Sequence, residues 1–463
     1  MKKKPENSKY SSTSQNLFGT DGVRGMANKA PITADIVLRI AQAVGQEFLR
    51  DLAHHTVVIG KDTRLSGYMI EPALTAGFIS IGMDVVLVGP MPTSAISMLT
   101  RTLRADLGVM ITASHNPYKD NGLKFFGPDG HKLPDHIEAR IEENFAEGPQ
   151  KALAAPSRLG RARRLDDAQG RYIEFVKNTF PKGLRLDGLR IVVDCAHGAG
   201  YKVAPSVFWE LGADVIAIGD TPDGCNINKD CGATMPDKLI QTVKEHNADI
   251  GIALDGDADR LILVDEIGSI IDGDKILAAI ATSWKNQGKL KSNALVATVM
   301  SNMGLEKYLH SQGIKMFRSK VGDRYVCSEM RAEGLNLGGE QSGHIICGDY
   351  TTTGDGLIAA LQVLAVLVDS DKPARSINKI YDPLPQILES VPIDDKTILD
   401  SSVFQSVVRE CEDSLANEGR ILIRPSGTEP LLRIMVEGEN TSLLKSTINK
   451  IKQALLQSEQ KVA

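Results

Sequence analysis

"TVVIGKDTRLSGYMIEPALTAGFISIGMDVVLVG", residues 56–89, decides the fold. An apolar run, Val57-Val58-Ile59, stops in a polar turn; an amphipathic segment follows, and Gly82 precedes a second apolar run, Val85-Val86-Leu87-Val88. Two strands joined through a helix run parallel, so the stretch reads as a βαβ unit. The same order returns in "LRIVVDCAHGAG" through "WELGADVIAIG" (189–219) and in "ALVATVMSNMGLEKYLHSQGIKMFRS" (294–319). Three such units at wide spacing predict three related α/β domains with mixed sheets. The end of the chain differs. "GRILIRPSGTEPLLRIMVEG" carries two short strands about a turn, and "TSLLKSTINKIKQALLQ" has helical periodicity, which predicts a smaller C-terminal α+β domain.

Clusters of Pro, Gly and charge at 146–164, 264–275 and 381–386 mark the breaks. The expected organisation is a flexible tail over 1–16, α/β domains over 17–164, 165–266 and 267–383, and the α+β domain over 384–463, arranged around a central cleft. A chain of 463 residues exceeds one core, in keeping with about three or four domains of roughly 100–150 residues.

Composition excludes several functions. A net charge of -5 gives no basic field for nucleic acid or anionic lipid. "MKKKPENSKYSSTSQN" lacks the apolar stretch of a secretory signal, and "LIAALQVLAVLV" (357–368) is too short to span a bilayer. Six scattered cysteines form no C-x-x-C pair, so reduced thiols in a cytoplasmic protein are expected.

Polar clusters sit where the apolar runs end. In "VMITASHNPYKDNGLKFF" (109–126), Ser114 lies just past an apolar run, where α/β sheets present reactive groups. Lys119 and Lys124 are its nearby cations, and Asn116 and Asn121 are placed to hold the loop. Alone, the stretch also reads as a turn ending a strand. A serine hydrolase is disfavoured, because G-x-S-x-G is absent and the side chains of Ser114 and His115 diverge in an extended segment. In "LDGDADR" (254–260), Asp255, Asp257 and Asp259 alternate, which in an extended loop points three carboxylates to one side. Like charges converge only around a cation, and hard oxygen donors select Mg²⁺ or Mn²⁺. "GGEQSGH" (338–344) offers Glu340 and Ser342 to hydroxyls or an amine, beside His344. "RPSGTEPLLR" (424–433) sets Ser426, Gly427 and Thr428 in a tight turn between Arg424 and Arg433, an arrangement suited to phosphate. Arg24 follows the turn in "GTDGVRG" (19–25). One such motif per domain describes phosphoryl transfer on a phosphorylated polyol.

In this order, "TASHNP", "DGDADR", "GGEQSGH" and "RPSGTEP" resemble the α-D-phosphohexomutase family across nearly the whole chain after the tail. The resemblance implies a cytoplasmic mutase in which Ser114 is carried as phosphoserine and joins Asp255, Asp257 and Asp259 in holding one Mg²⁺. It implies Glu340 and Ser342 as sugar-binding residues, and Arg424, Ser426, Gly427, Thr428 and Arg433 as the phosphate cradle. Arg24, Lys124, Arg260 and His344 become candidates for proton transfer and electrostatic stabilisation, Lys124 as a base only if nearby cations lower its pKa. "FGTDGVRG" and Gln341, where relatives acting on glucose or mannose phosphates more often carry Met, favour glucosamine 6-phosphate as substrate and its 1,6-bisphosphate as intermediate and activator. The rivals are a glucose or mannose phosphate mutase, a metal-dependent sugar phosphatase, and a sugar-phosphate sensor without chemistry. A homodimer is implied, without nucleic-acid or membrane partners. Ala258 departs from the family, where many relatives have Gly; that matters only if the loop needs positive φ there.

Overall fold

The apolar runs form strands because their branched side chains pack on both faces of buried parallel sheets. The computed structural model describes residues 17–19, 21–50, 54–148, 153–393, 399, 401–425 and 431–462. The expected tail, 1–16, lies outside the described residues.

The first sheet contains β1 (Val23–Met26), β2 (His55–Lys61), β3 (Met83–Pro90), β4 (Leu107–Ile111), β5 (Asp120–Phe126) and β6 (Ala162–Arg164), in the order β1-β5-β4-β2-β3-β6. Helices α1 (Ala34–Phe48), α2 (Gly67–Ser80), α3 (Thr93–Thr102) and α4 (Asp135–Glu147) accompany it. β2 pairs parallel with β3 and with β4, whereas β5 runs antiparallel to β4. After α5 (Ala168–Lys177), the second sheet has β7 (Arg190–Asp194), β8 (Asp214–Ile218), β9 (Ile250–Leu254), β10 (Leu261–Asp265) and β11 (Ile270–Ile271), in the order β11-β10-β9-β7-β8, with α6 (Val203–Glu210) and α7 (Asp237–Glu245). β11 folds back on β10, so this sheet continues to Ile271.

The third sheet, β13-β12-β14-β15, is built from β12 (Ala294–Thr298), β13 (Lys315–Ser319), β14 (Leu337–Gly339) and β15 (Ile345–Cys347). Its helices are α8 (Gly273–Asn286), α9 (Met303–Ser311), α10 (Asp323–Ala332), α11 (Gly356–Ser370) and the short α12 (Arg375–Asn378). The last unit is antiparallel: β16 (Gln386–Pro392), β17 (Gly419–Pro425) and β18 (Leu431–Gly438) in the order β16-β18-β17, backed by α13 (Ser402–Leu415) and α14 (Thr441–Val462). The three α/β sheets and the terminal α+β unit are those read from the pattern of the sequence.

One topological rule places the chemistry. In each α/β sheet, the first strand of the βαβ unit lies between the strand that completes the unit and a later parallel strand: β2 between β3 and β4, β7 between β8 and β9, β12 between β13 and β14. Chain order reverses there, and the loops leaving the central strand and the later one flank a crevice at the carboxyl edge. Ser114 follows β4, Asp255 follows β9 and Glu340 follows β14.

A continuous apolar core joins the three α/β units, including Val58 and Ile96, Val193 and Leu254, and Leu295 and Leu361. The last unit has its own core around Phe404, Leu432 and Ile448. It docks on the third through Arg420, which donates to the Val299 and Ser301 carbonyls at 2.8 and 2.6 Å and pairs with buried Glu437. Residues 357–368 lie within α11, where Gln362 donates to the Thr179 carbonyl. Among the described residues no helix is long and apolar enough to cross a membrane. All six cysteines are free.

Candidate active site

Ser114 adopts a left-handed backbone, φ 50°, which is uncommon for a residue with a Cβ. Its amide donates to Thr112 Oγ1, and buried Arg64 binds the loop from below, its guanidinium donating to the carbonyls of Ser114, Asn116, Pro117 and Asp120. Asn116 donates to Asp120, and Asn121 reaches Ser66. The Ser114 hydroxyl donates to Asp255 Oδ2 at 2.6 Å. It also lies 3.3 Å from His115 Nδ1, against the expectation that neighbouring side chains diverge; that expectation assumed an extended backbone, and the left-handed turn brings them together. Lys119 is exposed, whereas Lys124 is buried against Asp257 and Asp259.

The three aspartates converge, each offering an oxygen within 4.8 Å of the others, and all are buried. A turn rather than strand alternation produces this: the Ala258 amide donates to the Asp255 carbonyl at 3.0 Å, and Ala258 has φ 57°. The loop therefore does need positive φ at this position, and Ala258 adopts it despite its Cβ. Asp257 Oδ2 accepts from Thr93 Oγ1 at 2.6 Å and from Lys124 Nζ at 2.8 Å, and Asp259 Oδ2 accepts from Lys124 at 2.9 Å. The Oδ1 atoms of Asp257 and Asp259 are buried without a hydrogen-bond partner. Burial, then neighbouring Asp259 and Asp257, pushes the Asp255 carboxyl up to about 8. Crowded hard oxygens, with no hydrogen bond to either Oδ1 among the described residues and only His344 Nδ1 at 3.6 Å from that of Asp259, suit a divalent cation.

Lys124 does not fit a base with a lowered pKa. Burial disfavours its charge, but Asp21, Asp257 and Asp259 outweigh burial and hold the ammonium well above its ordinary range. The cations expected to lower it are outnumbered by carboxylates brought from other parts of the chain.

A closed ring of ionisable groups runs through all three α/β units. Asp259 pairs with Lys124, Lys124 lies 3.6 Å from Asp21, Asp21 binds Lys132, and Lys132 reaches Asp323. Asp323 lies 3.5 Å from His344 Nε2, and His344 Nδ1 returns to Asp259 at 3.6 Å. Arg24 pairs with Asp21, and the Arg260 amide donates to Asp255. The Nε atoms of both arginines are buried without a hydrogen-bond partner among the described residues. Burial, then Arg260 and Arg24, lowers His115 to about 4.

Glu340 accepts from the Gly322 amide at 2.8 Å and from Ser342 Oγ at 3.3 Å. Arg424 and Arg433 stand opposite each other across β17 and β18. Burial, then Arg433, depresses Arg424, while Glu340 acts in the opposite sense, so Arg424 lies within the field of the "GGEQSGH" loop. Two guanidinium groups side by side invite an anion. Ser426, Gly427 and Thr428 lie outside the described residues.

Sequence reading missed Arg64, Asp21, Lys132, Asp323, Thr93 and Asn228, whose amide donates to the Ser114 and Asn116 carbonyls. Arg64 and Asp21 stand inside stretches quoted for other reasons, "GKDTR" and "GTDGVRG", and their charge was the available signal.

Known proteins agree with this geometry. Family models described as phosphoglucomutase/phosphomannomutase match alpha/beta/alpha domain I at residues 15–152, domain II at 170–268, domain III at 272–384 and the C-terminal domain at 367–454. A phosphoglucosamine mutase of Rhodospirillum rubrum is 60% identical over 439 residues, 94% of this chain and 97% of its own length. One of Granulibacter bethesdensis is 59% identical over 440 residues, 95% and 96% of the two chains. The fold is shared with a phosphoglucomutase/phosphomannomutase family protein of Burkholderia thailandensis, TM-score 0.82 at 23% identity over 97% of this chain and 98% of that one. It is also shared with the Aspergillus fumigatus N-acetylphosphoglucosamine mutase solved with GlcNAc-6P and magnesium, TM-score 0.65 at 18% identity over 95% of each chain. With matches in all four domains and relatives this close along almost its full length, the chain belongs to the phosphoglucomutase/phosphomannomutase family, among its phosphoglucosamine mutases.

Proposed function

We propose that this chain interconverts glucosamine 6-phosphate and glucosamine 1-phosphate, with Ser114 carried as phosphoserine, one Mg²⁺ at Ser114, Asp255, Asp257 and Asp259, and glucosamine 1,6-bisphosphate as intermediate and activator. The observation that carries the reading is the Ser114 hydroxyl 2.6 Å from Asp255 within a buried carboxylate triad, in a chain 60% identical to a phosphoglucosamine mutase. The A. fumigatus structure, with GlcNAc-6P and magnesium, supports the substrate class and the metal.

In the first transfer the bond from phosphorus to Ser114 Oγ breaks as one forms to sugar O1, and the proton that O1 gives up is balanced by the one that Oγ takes. After the bisphosphate turns over in the cleft, the bond from phosphorus to O6 breaks as one forms to Ser114 Oγ, which gives up its proton while O6 gains one. When bound, the divalent ion offsets the carboxylates and the phosphoserine and draws charge from the transferring group. Lys124, protonated among its carboxylates, stabilises charge spreading over the transferring oxygens. Arg24 and Arg260, each with a buried unpaired Nε, serve the same charge. Glu340 and Ser342 grip sugar hydroxyls in both orientations, and Arg424 and Arg433, with Ser426, Gly427 and Thr428, hold the phosphate that does not react. A cytoplasmic homodimer working on the free sugar phosphate completes the reading.

The test is ³¹P NMR of the protein with Mg²⁺ and a trace of glucosamine 1,6-bisphosphate, given glucosamine, glucose and mannose 6-phosphates in separate tubes. Fastest growth of a 1-phosphate resonance from glucosamine is expected. Preference for glucose or mannose would move the substrate assignment, and release of inorganic phosphate alone would make the protein a phosphatase.

A further inference from the structure

Asn228 belongs to the second α/β unit, on the stretch between β8 and α7, yet its side chain serves the first. Its Nδ2 donates to the Ser114 carbonyl at 2.9 Å and to the Asn116 carbonyl at 3.1 Å. Both partners are carbonyl oxygens, so the atom facing them has to be the amide nitrogen. The same two oxygens accept from Arg64 Nη2 at 2.9 and 2.8 Å. The Ser114 and Asn116 carbonyls are thus each held by two donors from two domains.

The metal loop closes on the same point. A Cβ on Gly256 would lie 2.6 Å from the Ser114 carbonyl oxygen and 2.7 Å from Asn228 Nδ2, so only glycine fits between them. Asn228 is itself left-handed, φ 57°, with its amide on the Ala196 carbonyl at 2.9 Å, which fixes the side chain where it bridges. Ser114 has a left-handed backbone that a residue with a Cβ rarely adopts, and the clamp holds it there.

We propose that Asn228, acting with Arg64, is a positioning residue for phosphoryl transfer: it locks the carbonyl side of the Ser114 loop against the metal loop, so that Oγ keeps one direction and one distance to the triad each time the group leaves and returns. The inference rests on Ser114 being the phosphoryl carrier. The same nucleophile has to meet O1 and O6 in successive steps, and misplacement of about 1 Å costs roughly a hundredfold in rate. Among the described residues Asn228 Nδ2 bonds the Ser114 and Asn116 carbonyls rather than the triad or the reacting oxygen, so its effect passes through Ser114.

Two variants test this. Asn228→Gly keeps the positive φ and removes the amide; Asn228→Asp keeps the shape and turns an acceptor toward two acceptors. Steady-state kinetics with glucosamine 6-phosphate and single-turnover transfer from ³²P-labelled phosphoenzyme are run beside thermal melts. Expected is a fall of about tenfold to a hundredfold in kcat and in the transfer rate, with the larger loss in Asn228→Asp, and with KM within about twofold and the melting transition retained. Unchanged transfer in both variants overturns the proposal, as does a loss that tracks substrate affinity or unfolding. Wild-type protein, run first, separates the two readings: if it lacks mutase activity the functional reading fails and this inference with it, whereas an active wild type with equally active variants refutes the clamp alone.

Discussion

Lys124→Met removes an ammonium that is 2% exposed and bonded at 2.8 and 2.9 Å to Asp257 and Asp259. Methionine fills much the same volume, so the loss is of charge rather than packing. Removing one partner of a buried ion pair costs about 3–5 kcal/mol, since the remaining charge stays desolvated. That shifts the melting of the unit carrying the site by about 6–20 °C. A divalent cation and Lys124 offset the same carboxylates, the lysine through their Oδ2 atoms, while Asp257 Oδ1 has no partner among the described residues and Asp259 Oδ1 faces only His344 Nδ1 at 3.6 Å. The variant should therefore gain more from Mg²⁺ than the wild type does. Differential scanning calorimetry with EDTA and with saturating Mg²⁺, on both proteins, reads this directly. Expected are a large deficit in EDTA, a partial recovery with Mg²⁺, and a fall in turnover of about 10²–10³ from the lost electrostatic stabilisation. Equal melting temperatures in EDTA, or equal Mg²⁺ shifts, would refute the argument that Lys124 and the cation balance the same charge.

Ser114→Ala should lose nearly all mutase activity while isothermal titration still detects sugar-phosphate binding; normal turnover would refute the phosphoserine mechanism. Arg424→Ala should weaken sugar-phosphate binding by about 1.5–3 kcal/mol, the worth of a charged hydrogen bond, measured as the change in Kd. Asp274 sits buried at the start of α8, accepting from the Asn302 amide at 2.7 Å, and burial, then Asp272, pushes its carboxyl up to about 7 from 3.8. An acid raised on folding contributes stability that is fully present below pH 3.8 and is lost as pH rises through about 7. Asp274→Asn should therefore outlast the wild type increasingly from pH 4 to pH 8, by up to about 4 kcal/mol, and melts showing a difference independent of pH would contradict it.

The fold was legible because apolar periodicity records which residues face a core. Val57-Val58-Ile59, Ile191-Val192-Val193 and Leu295-Val296-Ala297 each open a βαβ unit, and a parallel crossover allows few topologies. Residues at carboxyl ends of strands follow from the same pattern, which is how Ser114 and Asp255 stood out, whereas Glu340 stood out by the chemistry of its glycine-rich loop. Three aspartates within five residues also announce themselves, since local charge crowding demands a remedy.

Conformation inside the loops was not legible. Ser114 and Ala258 are left-handed without being glycine, and each overturned an inference drawn from an extended backbone: that Ser114 and His115 diverge, and that alternation gathers the aspartates. Strain of this kind persists only where surrounding contacts enforce it, and those contacts come from elsewhere in the chain. The protonation of Lys124 was likewise decided by Asp21, Asp257 and Asp259, two of them more than 130 residues away. Arg64 and Asn228 bind the Ser114 loop through its carbonyls, and every residue has a carbonyl, so the acceptors leave no mark in the amino-acid order. What the sequence determined by itself was the set of sheets and the chemical character of the residues at their edges, because burial and charge are written in side chains. Which backbone oxygens meet which donors, and which charges face one another across three domains, was decided only when the sheets packed, because those energies depend on distance in space rather than along the chain.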